Sequence, residues 1–503
     1  MVAMAGLFCL LTLSTCTEDL EITDPNRLSP DVFWRNATDA ESGVTAIYAS
    51  LPAIPAFGRI GVGLLLIHRS DEVDPFPQIN VNDGGIFGAT PDFPRLREPW
   101  QELYKQVSAA NQVLGNVPDI DMDAQRKAQI LGEAYFLRAH AYFYLVNQWG
   151  NIPLVLDEIT EGVDQIFIGN STPGQVFEAM INDLKQAQSS LPQTWPADQV
   201  GRASWGAATA LLGKSYLYTQ QWDNAAAEFK KVIDSGLYQL TDDYFDNFNE
   251  ASTNNTESLF EVQYDGNTTG GWGGTGANVW RGQAWEADIA PRSFSSQQSV
   301  SVNQWVFDLF MAQQTVDGGE DPRAKATMVW NYPGAMMYQK TFTEAFSGPD
   351  LERIWVRKYL NFENETSLAP GDWAGDTNNW RLIRFADVLL MYAEALNESK
   401  GPSQEAFDAI NLVRARANMP AYTGIDQATF RQAIRDERVR ELAIEGYRWW
   451  DLRRWGIAAE RFQNNPELRG NSGGQFVTGK HEYYPLPRQD VDSNPNLNQN
   501  PGY

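Results

Sequence analysis

Residues 380–399, WRLIRFADVLLMYAEALNES, decide how the rest of the chain is read. Leu382, Phe385, Leu389, Tyr392, Ala393 and Leu396 recur there at steps of three and four, which predicts a helix with one apolar face. After the turn at Gly401-Pro402, AFDAINLVRARANMP (406–420) predicts a second helix that stops at Pro420. A third segment, 428–456, sets Arg435, Asp436, Glu437, Arg438, Arg440, Glu441, Glu445, Arg448, Asp451, Arg453 and Arg454 beside the four aromatic residues Tyr447, Trp449, Trp450 and Trp455. Such a segment is buried only if its charges pair with one another. The fold class is therefore mainly α.

Working outward, helix pairs repeat. Leu212, Gly213, Tyr216, Ala225 and Phe229 match the tetratricopeptide pattern at its offsets. Leu131, Gly132 and Tyr135 open a similar unit, completed by Leu184, Ala187 and Pro192 after an insertion over 148–174. Helices 382–398 and 403–417 form a looser third pair. Each pair exposes an apolar face that only a neighbouring pair can cover, so the pairs stack. Their inequality points to a helical wall that supports something else.

Between Asp39 and Ser50 one amphipathic helix is expected, followed by a Pro-, Gly- and Asp-rich structured loop over 58–99 that displays Phe76, Phe87 and Phe93. Helices then resume at Trp100. Asp119, Asp121 and Asp123 mimic a calcium loop, but Ala124 replaces its glycine and Ile130 its final glutamate. They read instead as acids at a helix N-terminus.

The 503 residues, 43% apolar, allow one large or two ordinary domains. A net charge of −25 disfavours nucleic acid and weakly disfavours polyanionic glycans. Residues 1–16, MVAMAGLFCLLTLSTC, read as a secretory signal too short to span a membrane. Leu13-Ser14-Thr15-Cys16 resembles a bacterial lipobox, with Cys16 as the acylated first residue of the mature chain. The run lacks a preceding Lys or Arg, which points to a translation start upstream of Met1. Cys9 leaves with the signal and Cys16 is lipidated, so no thiol remains for a disulfide, metal or nucleophile. With three separate histidines (His68, His140 and His481), neither a metal site nor a Ser-His-Asp triad is expected.

Residues 266–282 hold seven glycines, and the segment they open carries Trp272, Trp280 and Trp285. Ordering so many glycines is costly. The indoles either plug this loop onto the wall, which is the commoner use of Trp, or stack on sugar rings while Asn278, Arg281 and Gln283 bond hydroxyls. Trp100, Trp149, Trp205, Trp222, Trp380, Trp449, Trp450 and Trp455 lie in or beside helices and are expected in the core. Trp330 and Trp373 stay open between the two roles.

The segments RLIRFADVLLMYAEALNE (381–398), AINLVRARANMP (409–420), RDERVRELAIEGYRWWDLRRWG (435–456) and YYPLPRQDVDSNPNLNQNPGY (483–503) together resemble the SusD/RagB family of surface glycan-binding lipoproteins. The resemblance is ordered and runs from the lipobox to the terminal NPGY. It implies a glycan-stacking arc drawn from the Gly-rich stretch and the N-terminal loop, hence Trp272, Trp280, Trp285, Asn278, Arg281, Phe87 and Phe93. It also implies anchoring to the outer membrane at Cys16, with Thr17-Glu18-Asp19 resembling a surface-export signal, and a SusC-like TonB-dependent transporter as partner. No cofactor is implied. The acidic balance favours a neutral glycan.

The expected organisation is a signal over 1–15, a tether and first helix over 16–56, and a helical part with its binding loop over 57–240. A loop-rich glycan-binding insertion over 241–380 and a C-terminal helical part over 381–503 follow. Two other functions compete: a surface glycoside hydrolase, and a repeat scaffold binding protein without glycan. Helical spacing pairs Glu437 with Arg440, Arg438 with Glu441 and Glu445 with Arg448. Pairing with Arg lowers a carboxyl pKa, whereas the acid of a glycosidase needs it raised, so no catalytic residue is expected.

Overall fold

The computed structural model describes residues 33–53, 57, 65–75, 87–159, 166–265, 289–291, 293–294, 300–360, 377–464, 468 and 476–503. Helix α1 (Ala37–Ser50) is capped by the Asn36 side chain, which accepts from the Thr38 and Asp39 N–H groups. Helix α2 (Pro94–Asn116) starts six residues before the expected Trp100, because Pro94 at its first position fixes a helical φ at no hydrogen-bond cost. In α3 (Ala124–Trp149) Asp123 is the cap, accepting from the Arg126 N–H, so this acid does the work expected of a helix N-terminus.

From there the helices stack in chain order. α4 (Pro173–Ser190) lies on α3, α5 (Trp205–Tyr218) on α4, and α6 (Trp222–Asp234) on α5. α7 (Phe385–Lys400) lies on α6 and carries both α8 (Gln404–Arg416) and α9 (Gln427–Leu442). Two repeat glycines show why the pattern needs them. A Cβ on Gly213 would sit 2.7 Å from the Phe229 ring, and one on Gly132 would sit 2.9 Å from the Ser190 Cβ. Each lets one helix of a pair approach the other closely.

One element differs from expectation. Trp380–Arg384 is a strand, and the helix begins only at Phe385. All five strand residues are buried. A run buried on both faces shows no alternation to separate it from the helix that follows.

The strands form small sheets on the wall. β1 (Val73–Pro75), β3 (Val300–Val302), β5 (Trp355–Val356) and β4 (Met328–Val329) pair antiparallel in the order β1-β3-β5-β4. β2 (Ser258–Val262) pairs with β6 (Trp380–Arg384). Thus β1, from the N-terminal half, is built into a sheet with strands from 300–356.

A buried ion network joins these sheets to the wall. Arg384 on β6 bonds Glu257, Glu441 (3.0 Å) and Glu445 (2.8 Å). Arg323 bonds Asp321 (2.8 Å), Glu437 (2.7 Å) and Glu441 (3.1 Å). Arg416 bonds Glu257 (2.8 Å) and Glu441, Arg414 bonds Glu437, and Lys358 bonds Glu445 (3.1 Å). These five cations and five carboxylates are all buried or nearly so. The expected pairing along one helix holds only for Glu437 and Arg440, at 3.8 Å. Arg438 instead meets Asp387 and Asp451, each at 2.8 Å, and Arg448 meets Asp71 at 2.8 Å. The helix winds these charges towards different partners, so the network is long-range.

Candidate functional site

The sheet registers show which strand ends lie side by side. Pro75 at the end of β1 faces Val300 at the start of β3. Val262 at the end of β2 faces Trp380 at the start of β6. The chain therefore leaves towards 76–86 beside the place where it returns from 295–299. It leaves β2 towards 266–288 beside the place where it returns from 361–376. Trp272, Asn278, Trp280, Arg281, Gln283 and Trp285, with Phe76 and Trp373, lie outside the described residues.

Two expected site residues are described, and both are corrected. Phe87 is 5% exposed and Phe93 7%. The Phe87 ring meets Phe462 and Phe476 edge-on at 4.9 and 5.1 Å and stacks on His481 at 5.2 Å. The Arg69 guanidinium lies 5.7 Å from the same ring. With its faces and edges occupied, Phe87 is a packing residue, and Phe93 is buried at the cap of α2. A Pro- and Gly-rich segment has no periodicity to reveal such partners, which here come from the C-terminal tail.

Of the open tryptophans, Trp330 is half-buried. It lies edge-on to Phe307 at 5.0 Å and beside Tyr332 at 4.8 Å, with the Lys325 ammonium 5.0 Å from the Tyr332 ring. Register places it at the end of the sheet opposite Pro75, since Val329 pairs with Trp355 and Met328 with Val356. Sequence reading missed Tyr332 and also Trp305, whose indole N–H donates to the Asp71 carbonyl at 2.6 Å under the Arg461 guanidinium at 4.0 Å. The helical run QWVFDLF was the available signal for Trp305. Trp100, Trp149, Trp380, Trp449 and Trp450 are core residues as expected, whereas Trp205, Trp222 and Trp455 are half-buried.

Three of the network carboxylates, Glu257, Glu437 and Glu441, are held below their usual range, against acid catalysis. Burial opposes ionisation of Glu441, but Arg416, Arg384 and Arg323 overcome it and hold its carboxyl well below the usual range. Glu437 is lowered despite burial by Arg323, Arg414 and Arg440. Asp71 and Glu72 shift apart, as an acid–base pair does. Burial pushes Glu72 up to about 8, while Arg448 and Arg461 outweigh burial and lower Asp71. Yet Asp71 is 0% and Glu72 2% exposed, sealed from any substrate. Among the described residues no cluster of three His, Cys, Asp or Glu is arranged to hold a metal, and no helix is long and apolar enough to cross a membrane.

Set beside known proteins, residues 256–503 match the model of the SusD family, and residues 90–217 match one described as starch-binding, associating with the outer membrane. A SusD-like protein of Formosa agariphila is 28% identical over 529 residues, covering 98% of this chain and 96% of its own. A SusD superfamily structure from Bacteroides vulgatus superposes with a TM-score of 0.82 at 26% identity, over 94% of this chain and all of that one. The structure of a laminarin-binding SusD-like protein superposes at 0.77 with 28% identity, over 93% and 100%. The helix pairs, the small sheets and these matches define an outer-membrane-associated carbohydrate-binding fold. The chain belongs to the SusD/RagB family.

Proposed function

We propose that this protein binds a glycan at the outer face of the outer membrane without cleaving it and passes it to a SusC-like TonB-dependent transporter. The carrying observation is the superposition of 93% of the chain on a laminarin-binding relative. The binding groups proposed are Trp272, Trp280 and Trp285, with Asn278 and Arg281, on the stretch that leaves the wall after β2. Phe87 and Phe93 are not among them. The net charge of −25 favours a neutral main chain for the ligand. The Arg-bound carboxylates favour binding over hydrolysis.

A neutral glycan panel with product analysis tests this, separating retention, cleavage and neither. Loss of one stacking platform weakens binding about tenfold, taking the low end of aromatic stacking energies. Trp272→Ala, Trp280→Ala and Trp285→Ala are expected to reduce retention, at least one of them severely, with little change in melting temperature. Trp449, 1% exposed, is the packing control. Trp449→Ala should cost about 3–5 kcal/mol of stability and leave affinity intact. Should all three loop variants melt early and still retain glycan, the site lies elsewhere.

We propose Cys16 as the lipid attachment point, from the LSTC run and the acids that follow it. Cys16→Ser is then expected to leave the protein soluble or unprocessed, because anchoring needs acyl chains. Surface labelling of that variant at the wild-type level would refute the assignment.

A further inference from the structure

Far along the chain from the Gly-rich stretch, a pocket of about 150 Å³ opens in the helical wall. Gln220 and Trp222 at the start of α6 line it, with Glu398 of α7, Arg431 and Arg435 of α9, and Trp455. Glu394 and Arg454 complete its charges. Glu398 accepts two bonds from Arg431, at 2.6 and 2.7 Å. Glu394 accepts two from Arg454, at 2.5 and 2.8 Å, and one from the Trp455 indole at 2.8 Å.

Arg435 is the cation left over. Among the described residues its guanidinium has no hydrogen bond and no carboxylate within ion-pair distance, and its Nε is buried without a partner. It rests 4.9 Å from the Trp455 ring, and a second guanidinium, Arg454, lies at the same distance from that ring. Burial lowers its pKa, while the attraction of Glu394 and Glu398 and the repulsion of Arg431 and Arg454 act against each other. Three guanidinium groups face two carboxylates, a surplus of one positive charge in a protein of net charge −25. Two features add a ring-sized recognition surface. Trp222 is half-exposed. Gln220, in the lining, has a left-handed backbone, φ 58°, which a non-glycine residue adopts only at a cost.

We propose that this pocket receives one carboxylate-bearing pyranose, a uronate unit, with its carboxylate on Arg435 and its ring beside Trp222. The planar guanidinium fork matches a carboxylate in geometry as well as charge. The sugar part of this proposal rests on the glycan reading above, and the acid part on the pocket's own charges. One spare guanidinium suits one acidic unit on an otherwise neutral glycan. The overall charge still disfavours a polymer that is acidic at every unit.

The test is calorimetric titration of the full chain with sodium glucuronate, glucose and sodium acetate, and with an N-acetylated aspartyl dipeptide. Glucuronate is expected to bind in the millimolar range, with the other three at least about tenfold weaker. Arg435→Gln should weaken glucuronate about tenfold or more, since a charge-assisted bond is lost, while its melting temperature stays at the wild-type value. Trp280→Ala should bind glucuronate normally. Acetate binding as well as glucuronate would overturn the sugar assignment, and stronger binding of the dipeptide would give the pocket to a protein partner. Glucuronate binding unchanged in Arg435→Gln, or absent in wild type, would sink the proposal. Failure of the loop reading shows up separately, as neutral-glycan retention that survives the loop variants while the glucuronate titration is unaffected.

Discussion

Replacing Glu441 with glutamine is expected to destabilise the protein by about 3–5 kcal/mol, the range for breaking a buried ion pair from one side. Glu441 is fully buried and accepts from Arg323, Arg384 and Arg416 at once. The amide leaves five cations facing four carboxylates in a buried setting, so the excess charge is uncompensated. Chemical denaturation at pH 7 measures the loss. Glu405→Gln is the contrast, since its side chain is 59% exposed and its nearest cation, Lys230, is 3.7 Å away, and exposed pairs contribute little. The sign with pH follows from the lowered carboxyl. Its stabilisation is present above the ordinary value of 4.5 and is lost as pH falls below it towards the folded value. Acid should therefore narrow the gap between wild type and Glu441→Gln. A variant as stable as wild type at pH 7 would mean that the network is not what ties β2 and β6 to the wall.

How much of this was legible in the sequence depends on the range of the interaction. The repeat pairs were, because Gly132, Gly213, Tyr216 and Phe229 sit at fixed offsets within one helical hairpin. The capping role of Asp123 was legible for the same local reason. The fate of Trp380–Arg384 was not. Its Arg381 and Arg384 are buried because Glu261 on the neighbouring strand and Glu257 just before it wait about 120 residues away in the chain. Helical spacing required the buried charges of 435–451 to pair, as Glu437, Arg438, Glu441, Glu445 and Asp451 do, but it could not choose between Glu441 and the more distant Asp387 as the partner of Arg438. Phe87 fails in the same way. Its partners Phe462, Phe476 and His481 lie almost 400 residues on. The chemistry proposed for the Gly-rich stretch comes from composition and family likeness, whereas the unmatched Arg435 becomes visible only once every neighbouring carboxylate has been assigned.

Glu72→Gln is expected to act in the opposite direction, stabilising the protein as pH rises. Glu72 is 2% exposed, and one carboxyl oxygen accepts the Ile444 N–H at 3.0 Å. Ile444 has φ 68°, a left-handed conformation that a β-branched residue adopts only under constraint. The Glu72 side chain thus helps hold a strained turn at the end of α9. Burial pushes its carboxyl from 4.5 up to about 8. Arg448, the Ile444 N–H and Lys358 offset only part of that, and Asp71 adds to it. Between those two pH values the folded chain keeps a proton that the unfolded chain has released, so stability attributable to this group falls as pH rises. The full gap corresponds to at most about 5 kcal/mol. Glutamine keeps an acceptor for Ile444 and has nothing to ionise. Melting curves of wild type and Glu72→Gln should therefore lie close together near pH 4.5, separate steadily towards pH 8 with the variant higher, and run parallel beyond it. Glu72→Leu removes the acceptor as well and should melt lower than Glu72→Gln at every pH. A constant offset between wild type and Glu72→Gln across this range would show that Glu72 is not held neutral in the folded protein.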